Sequence, residues 1–111
     1  MKQKTSKLQK LERNRKSILT EDLETCYICN GQASEIHEIY SGRNRKKSIQ
    51  NDFCVPLCRR CHQIVTLNYG LNLRLKMICQ EKYEETHTRE EFIKIIGKNY
   101  LDWGSENVNK L

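Results

Sequence analysis

The sequence predicts a small α+β domain in which two strands precede three helices and a metal ion acts as a cross-link. Three observations predict this fold class. Apolar and polar residues alternate over residues 35–40, as in a half-buried strand. Apolar residues recur at helical spacing from residue 58 onward, and two Cys-x-x-Cys pairs occur within 111 residues. Only 37% of the residues are hydrophobic, so the core is small and a metal cross-link is expected to support it.

The positive charge is confined to two zones of the chain. Residues 1–20 have a net charge of +6 and residues 36–76 have another +6, with an acidic segment between them. We expect residues 1–22 to be a basic N-terminal arm, helical or disordered until a polyanion binds, and residues 23–111 to form the domain. Two such zones are typical of a nucleic-acid-binding protein; a merely soluble basic protein is the alternative.

The sequence also predicts the compartment. No run approaches the roughly 20 apolar residues of a membrane span. No apolar stretch follows the lysine-rich beginning, so we expect no secretory signal and a cytoplasmic location. Because the cytoplasm is reducing, paired cysteines there bind metal more often than they form disulfides.

The two predicted strands form a hairpin. Residues 35–40 are the first strand and residues 53–57 the second, with Pro56 tolerated near a strand end or at an edge. The connection, residues 41–48, is polar and basic and is predicted to be a loop. The Asn-Gly pair at residues 30–31 predicts a turn, because it favours positive backbone angles.

Three helices are predicted to follow the hairpin. The first begins at Cys58 and the second after Gly70. The third begins with a capping box, in which Thr88 is the cap and Glu91 stands three residues later. Gly97 is predicted to end it.

The cysteine pairs predict a zinc site. Each Cys-x-x-Cys pair presents two thiolates on a tight turn, and two such turns complete a tetrahedral four-sulfur shell. This shell has no open position for a substrate, so its role is structural; unrelated buried cysteines are the alternative. The remaining Cys54 and Cys79 are predicted to be small buried hydrophobes. The predicted zinc ligands are Cys26, Cys29, Cys58 and Cys61.

Two histidines are interleaved with the cysteine pairs. His37 lies in the first strand, and His62 directly follows the last predicted zinc ligand. If zinc holds the helix start against the hairpin, the two imidazoles approach each other. With the adjacent Glu38 and water, they suit a second, open site for a divalent metal; packing or surface roles are the alternative. His87, before the last helix, is predicted to be exposed.

The interleaved cysteines and histidines resemble the HNH family of ββα-metal nucleases. Residues 37–48, His-Glu-Ile-Tyr-Ser-Gly-Arg-Asn-Arg-Lys-Lys-Ser, with Val-Pro-Leu-Cys at 55–58, are similar to small HNH-like proteins of phages and prophages. The ending Ile-Gly-Lys-Asn-Tyr-Leu at 96–101 is similar to that subgroup too. The resemblance covers residues 24–101 and implies a zinc-bound ββα core, of the His-Me finger type, packed by two C-terminal helices.

The resemblance also implies an activity, which is metal-dependent hydrolysis of DNA in a bacterial host cell. The family's strand has a metal-binding residue followed by a general base, and these places fall on His37 and Glu38. His62 matches the metal-binding histidine of the family's helix. The candidate catalytic residues are therefore Glu38, His37 and His62, and the two histidines would bind Mg²⁺ or Mn²⁺ in addition to the structural Zn²⁺.

Three family positions hold unusual residues. Glu38 replaces a histidine, and a solvated glutamate with a pKa of about 4.3 is a weaker base than imidazole. Thr66 stands where many members have a further metal-binding histidine, and Phe53 stands near the family's central asparagine, with Asn44 and Asn51 nearby. These departures favour an alternative function, a catalytically inactive zinc-bound DNA-binding protein on the HNH scaffold.

Basic residues border the predicted cleft between hairpin and helix. Lysine and arginine at this place would neutralise DNA phosphates without reading the sequence. A solvated basic loop is the alternative. The candidate DNA-binding residues are Arg43, Arg45, Lys46, Lys47, Arg59 and Arg60.

Overall fold

A computed structural model describes residues 15–101 of the chain. Residues 1–14, which are most of the predicted arm, and residues 102–111 lie outside the described residues. The described part has two strands, a 3-10 turn and four helices. In chain order these are β1 (Glu35–Glu38), the 3-10 turn (Gly42–Asn44), α1 (Arg45–Asn51), β2 (Cys54–Leu57), α2 (Arg59–Leu67), α3 (Tyr69–Tyr83) and α4 (Arg89–Ile96).

The predicted hairpin is present as a two-stranded antiparallel sheet, and the α+β class is confirmed. Both strands are shorter than predicted. In the register, Glu35 pairs with Leu57 and His37 pairs with Val55. Successive side chains of a strand point to opposite faces of the sheet. Glu35 and His37 therefore share one face, and Glu38 lies on the other.

The connection between the strands differs from the predicted loop. Residues 42–51 form the 3-10 turn and α1. The hydroxyl of the buried Ser48 docks this helix, because it accepts a hydrogen bond from the Tyr40 N–H (3.0 Å) and donates one to the Tyr40 carbonyl (2.6 Å). The buried Ile49 adds an apolar contact surface. A single apolar residue leaves no helical period in the sequence, and this is why the helix was not predicted.

Residues 16–18 of the predicted arm are hydrogen-bonded to the start of β2 and to the residue two positions before it. The Ser17 hydroxyl donates to the Cys54 carbonyl (2.5 Å), and the Ile18 N–H donates to the Asp52 carbonyl (3.0 Å). The Cys54 thiol donates to the Lys16 carbonyl (3.0 Å). Residues 16–18 thus run along β2.

The helix boundaries follow local capping. The Asn68 side chain accepts from the Leu71 N–H (2.9 Å), so α3 begins at Tyr69, slightly before the predicted start. The predicted capping box of α4 is confirmed, since Thr88 and Glu91 each bond the other's backbone. Gly97 ends α4 with a φ of 91°, a conformation that glycine adopts without steric cost.

The core lies between the hairpin and the helices. Tyr40, Phe53 and Phe92 are fully buried and meet at ring-centroid distances of 5.5–6.0 Å. Cys54 and Cys79 are buried, as predicted. Within residues 15–101, no helix is both long enough and apolar enough to cross a membrane.

Candidate functional site

The structure brings the four predicted zinc ligands together. Their sulfur atoms all lie within 4.8 Å of one another. Cys26 and Cys29 come from the turn before β1, while Cys58 and Cys61 stand at the start of α2. Among the described residues, this is the one group of three or more histidine, cysteine or acidic side chains whose ligand atoms meet this closely. The cluster could hold a metal ion.

The geometry of the sulfur atoms fits zinc. Four Zn–S bonds of about 2.3 Å in a tetrahedron place neighbouring sulfurs about 3.8 Å apart. The Sγ atoms of Cys29 and Cys58 are 3.8 Å apart. All four cysteines are free thiols, and a donor set made only of thiolates suits zinc rather than magnesium or calcium.

The backbone around the cluster is arranged to stabilise thiolates. The N–H groups of Cys29 and Cys61 point at the sulfurs of Cys26 (3.5 Å) and Cys58 (3.4 Å), three residues earlier in each case. Asn30 adopts a φ of 66°, which confirms the predicted turn. It also brings Gly31 against the Cys29 sulfur, where a Cβ would lie only 3.3 Å away.

Two of the thiols have strongly shifted pKa values. Burial disfavours the Cys26 thiolate, but backbone N–H donors outweigh burial and lower its pKa to about 6. Burial, followed by a hydrogen bond with Cys58, raises the pKa of Cys61 to about 12. Because zinc binds thiolates, binding of the metal would release protons from the cluster.

The two predicted catalytic histidines are neighbours in space. The rings of His37 and His62 meet edge to face with centroids 5.1 Å apart. His37 is buried, and its Nε2 has no hydrogen-bond partner among the described residues. Burial, and then the charge of His62, lowers the pKa of His37 to about 4, so this ring is neutral. A buried imidazole nitrogen without a partner is costly unless it binds a metal ion or a water molecule.

Glu35 is a site residue that was not among the candidates predicted from the sequence. Its carboxylate accepts a hydrogen bond from His62 Nδ1 (2.6 Å), and this bond is the main cause that lowers the pKa of Glu35. In a neutral His62 ring, the lone pair is then on Nε2, the arrangement of a metal-binding histidine oriented by a carboxylate. An open depression beside the ring is lined by His62, Gln63, Thr66 and Leu67. The sequence contains one signal for this role. Glu35 stands two residues before His37 in the predicted strand, so both side chains lie on the same face.

Glu38 lies on the face of the hairpin opposite to Glu35, but its negative charge still acts on His37, where it opposes the lowering of the pKa. Its carboxylate forms an ion pair with the Arg15 guanidinium and a longer one with Arg45 Nε (3.6 Å). Both Arg15 and Glu38 are largely buried, with side chains 13% and 16% exposed. The predicted catalytic carboxylate is thus engaged by basic side chains on the second face of the hairpin.

The other unusual positions have structural roles. The Thr66 hydroxyl donates to the His62 carbonyl (2.8 Å), one helical turn back. Phe53 belongs to the core, where it is fully buried. The amides of Asn44 and Asn51 donate to the carbonyls of Ile96 (3.1 Å) and Lys47 (2.8 Å).

The six candidate DNA-binding residues are all exposed. Arg43 is in the 3-10 turn, three more are in α1, and Arg59 and Arg60 are in the first turn of α2. Two of the six form ion pairs with the carboxylates of β1. Arg45 pairs with Glu38, and Arg59 Nε lies 3.4 Å from a carboxylate oxygen of Glu35. The predicted exposure of His87 is confirmed; its ring stacks on Tyr83 at 4.0 Å.

This chain matches no protein-family model, no curated protein and no solved structure. The resemblance to the HNH family therefore stays a prediction that rests on the residues themselves.

Proposed function

We propose that this protein is a metal-dependent endonuclease of the HNH type, of phage or prophage origin, that hydrolyses phosphodiester bonds in DNA. The contact between His37 and His62 carries the proposal. One imidazole comes from the middle of β1 and the other from the first turns of α2, and they meet at 5.1 Å. A strand and a helix that each direct one histidine to the same point are what a ββα metal site needs.

In this proposal, the four cysteines bind zinc as a structural cross-link. Cys58 also starts α2, because its sulfur accepts from the Cys61 N–H. On the other side, the residue after Cys26 is tied to the hairpin, since the Tyr27 N–H donates to the Pro56 carbonyl (2.8 Å). Zinc bound to both turns would therefore fix the start of α2 relative to the hairpin, and with it His62 relative to His37.

The catalytic divalent metal, Mg²⁺ or Mn²⁺, would be held by His37 and His62. When bound, it supplies Lewis-acid stabilisation of the charge that develops on the phosphate. With only two side-chain ligands, water and DNA phosphate oxygens must complete the shell, so the metal site would be weak without DNA. Glu35 orients His62 through the Nδ1 hydrogen bond.

We assign the positioning or deprotonation of the attacking water to Glu38. This role requires that Arg15 leaves the carboxylate, and an incoming DNA phosphate competes for the same guanidinium. The six exposed basic residues would hold the backbone of the DNA without reading its sequence.

A second candidate function is a catalytically inactive zinc-bound DNA-binding protein on the same scaffold. The engaged Glu38 favours it, and so does Thr66, whose hydroxyl bonds the helix backbone. In this case the basic surface would be kept and the histidines would only pack against each other.

Plasmid nicking tests the proposal. Supercoiled DNA is incubated with the zinc-loaded protein and either Mg²⁺ or Mn²⁺, and DNA binding is measured in parallel. We expect wild type and the matched control His87→Ala to nick, and His37→Ala and His62→Ala to lose at least about 100-fold in rate. Binding of DNA without metal-dependent nicking by wild type would support the second candidate and refute the enzyme.

A further inference from the structure

We propose that Lys76 and Lys98, arranged around the ring of Tyr100, form a binding site for a DNA phosphate on the surface of α3 and the end of α4. Neither lysine is among the six candidate DNA-binding residues. The inference deepens the proposed function, on which it rests, because it places a stretch of the DNA backbone along α3 and the end of α4.

The two ammonium groups converge on one aromatic ring. Lys76 is in the middle of α3, and Lys98 directly follows Gly97 at the end of α4. Their Nζ atoms lie 5.6 Å and 5.1 Å from the centroid of the Tyr100 ring. Both distances are in the range of a cation–π interaction.

The position of Tyr100 is fixed by hydrogen bonds and by ring packing. The Tyr100 N–H donates to the side-chain oxygen of Gln80 (2.9 Å), whose amide donates to Asn99 (2.8 Å). Gln80 is fully buried. The Tyr100 ring packs on Tyr40 at 5.6 Å, and the Tyr40 hydroxyl donates to the Lys76 carbonyl (2.6 Å).

Within residues 15–101, no opposite charge neutralises the two lysines, because neither Lys76 nor Lys98 has a carboxylate oxygen within 4 Å of its ammonium group. Burial, and then the charge of Lys98, lowers the pKa of Lys76, so the two groups repel each other. Placing two like charges together is unfavourable unless an anion bridges them, and a phosphate oxygen is the anion that a DNA-binding protein meets.

Hydrogen bonds tie α3 and the end of α4 to the segment between the two strands. The Tyr40 hydroxyl, which donates to the Lys76 carbonyl (2.6 Å), belongs to the residue three positions after His37. On the other side, the Asn44 amide ties the 3-10 turn that contains Arg43 to the Ile96 carbonyl, two residues before Lys98. A DNA backbone that contacts Arg43 in the 3-10 turn would therefore run towards the end of α4, where Lys98 lies.

The salt dependence of DNA binding tests the inference. The affinity for a fluorescently labelled 20-base-pair duplex is measured by anisotropy at several salt concentrations, without added Mg²⁺. Each phosphate contact contributes about 0.9 to the slope of log K against log salt. We expect the slope to decrease by about 0.9 in Lys76→Ala/Lys98→Ala, because one phosphate contact is lost. Lys98→Ala should also lower the slope, by up to the same amount, and its exposed side chain can be removed without disturbing the fold.

The matched control is Lys82→Ala/Lys94→Ala, which removes the same charge from elsewhere on α3 and α4. Lys82 pairs with Glu85 (3.2 Å), and Lys94 is exposed. We expect the control to keep the wild-type slope. If Lys98→Ala and the double variant also keep it while wild type still nicks DNA, the phosphate site is refuted and the nuclease stands. If wild type does not bind DNA, both fail.

Discussion

Glu35 and Glu38 are three residues apart and have different surroundings. Glu35 bonds His62 on the helix-facing side of β1, whereas Glu38 is paired with Arg15 and Arg45 on the opposite side. The alternation of side chains along a strand produces this separation. Glu35 is therefore placed to orient His62, whereas Glu38 is placed to form ion pairs with arginine side chains.

Substitution of the two carboxylates separates their roles. We expect Glu38→Gln to lower the nicking rate by about 10²–10⁴-fold with little change in DNA binding, because a general base is lost. Glu35→Gln should cost about 10–100-fold through weaker metal binding, as found when the partner of a ligating histidine is removed.

Arg15→Gln is the matched control for the Glu38 substitution, because it breaks the same ion pair and leaves the carboxylate in place. It should retain nicking. Wild-type nicking by Glu38→Gln would show that Glu38 only pairs with Arg15, and the assignment of the base would be wrong.

Helix α1 shows how an element can form without a periodic sequence signal. Its single apolar residue, Ile49, is buried, and the docking is completed by the two hydrogen bonds between Ser48 and Tyr40. By contrast, α4 was predicted at both ends because Thr88, Glu91 and Gly97 act through local chemistry alone. Local signals are visible in a sequence, whereas a hydroxyl that bonds a residue eight positions earlier is not.

Removal of the Ser48 hydroxyl tests the docking of α1. We expect Ser48→Ala to lower the free energy of unfolding by about 1–3 kcal/mol, because it leaves the buried N–H and carbonyl of Tyr40 without partners. Ser41→Ala is the control; Ser41 is exposed and its side chain makes no capping hydrogen bond. Urea unfolding of the zinc-loaded protein measures both, and equal midpoints would contradict this role.

The molecule as a whole is organised by the cysteine cluster. The sequence predicted this cluster and the approach of His37 to His62, because four cysteines in two matched pairs are expected to converge on one ion, and the two histidines are interleaved with them. It could not predict that Arg15 engages Glu38, or that Lys76 and Lys98 meet at Tyr100, because no motif or shared ligand connects these residues. Only the folded arrangement brings such residues together.

We propose that the cysteine cluster binds zinc and thereby fixes α2 on the hairpin. Zinc K-edge X-ray absorption, together with the metal content of the purified protein, tests it most directly. We predict one zinc per chain, with four sulfur ligands at about 2.3 Å and no nitrogen or oxygen ligand. A content well below one zinc, or a shell that includes nitrogen or oxygen, would contradict the claim.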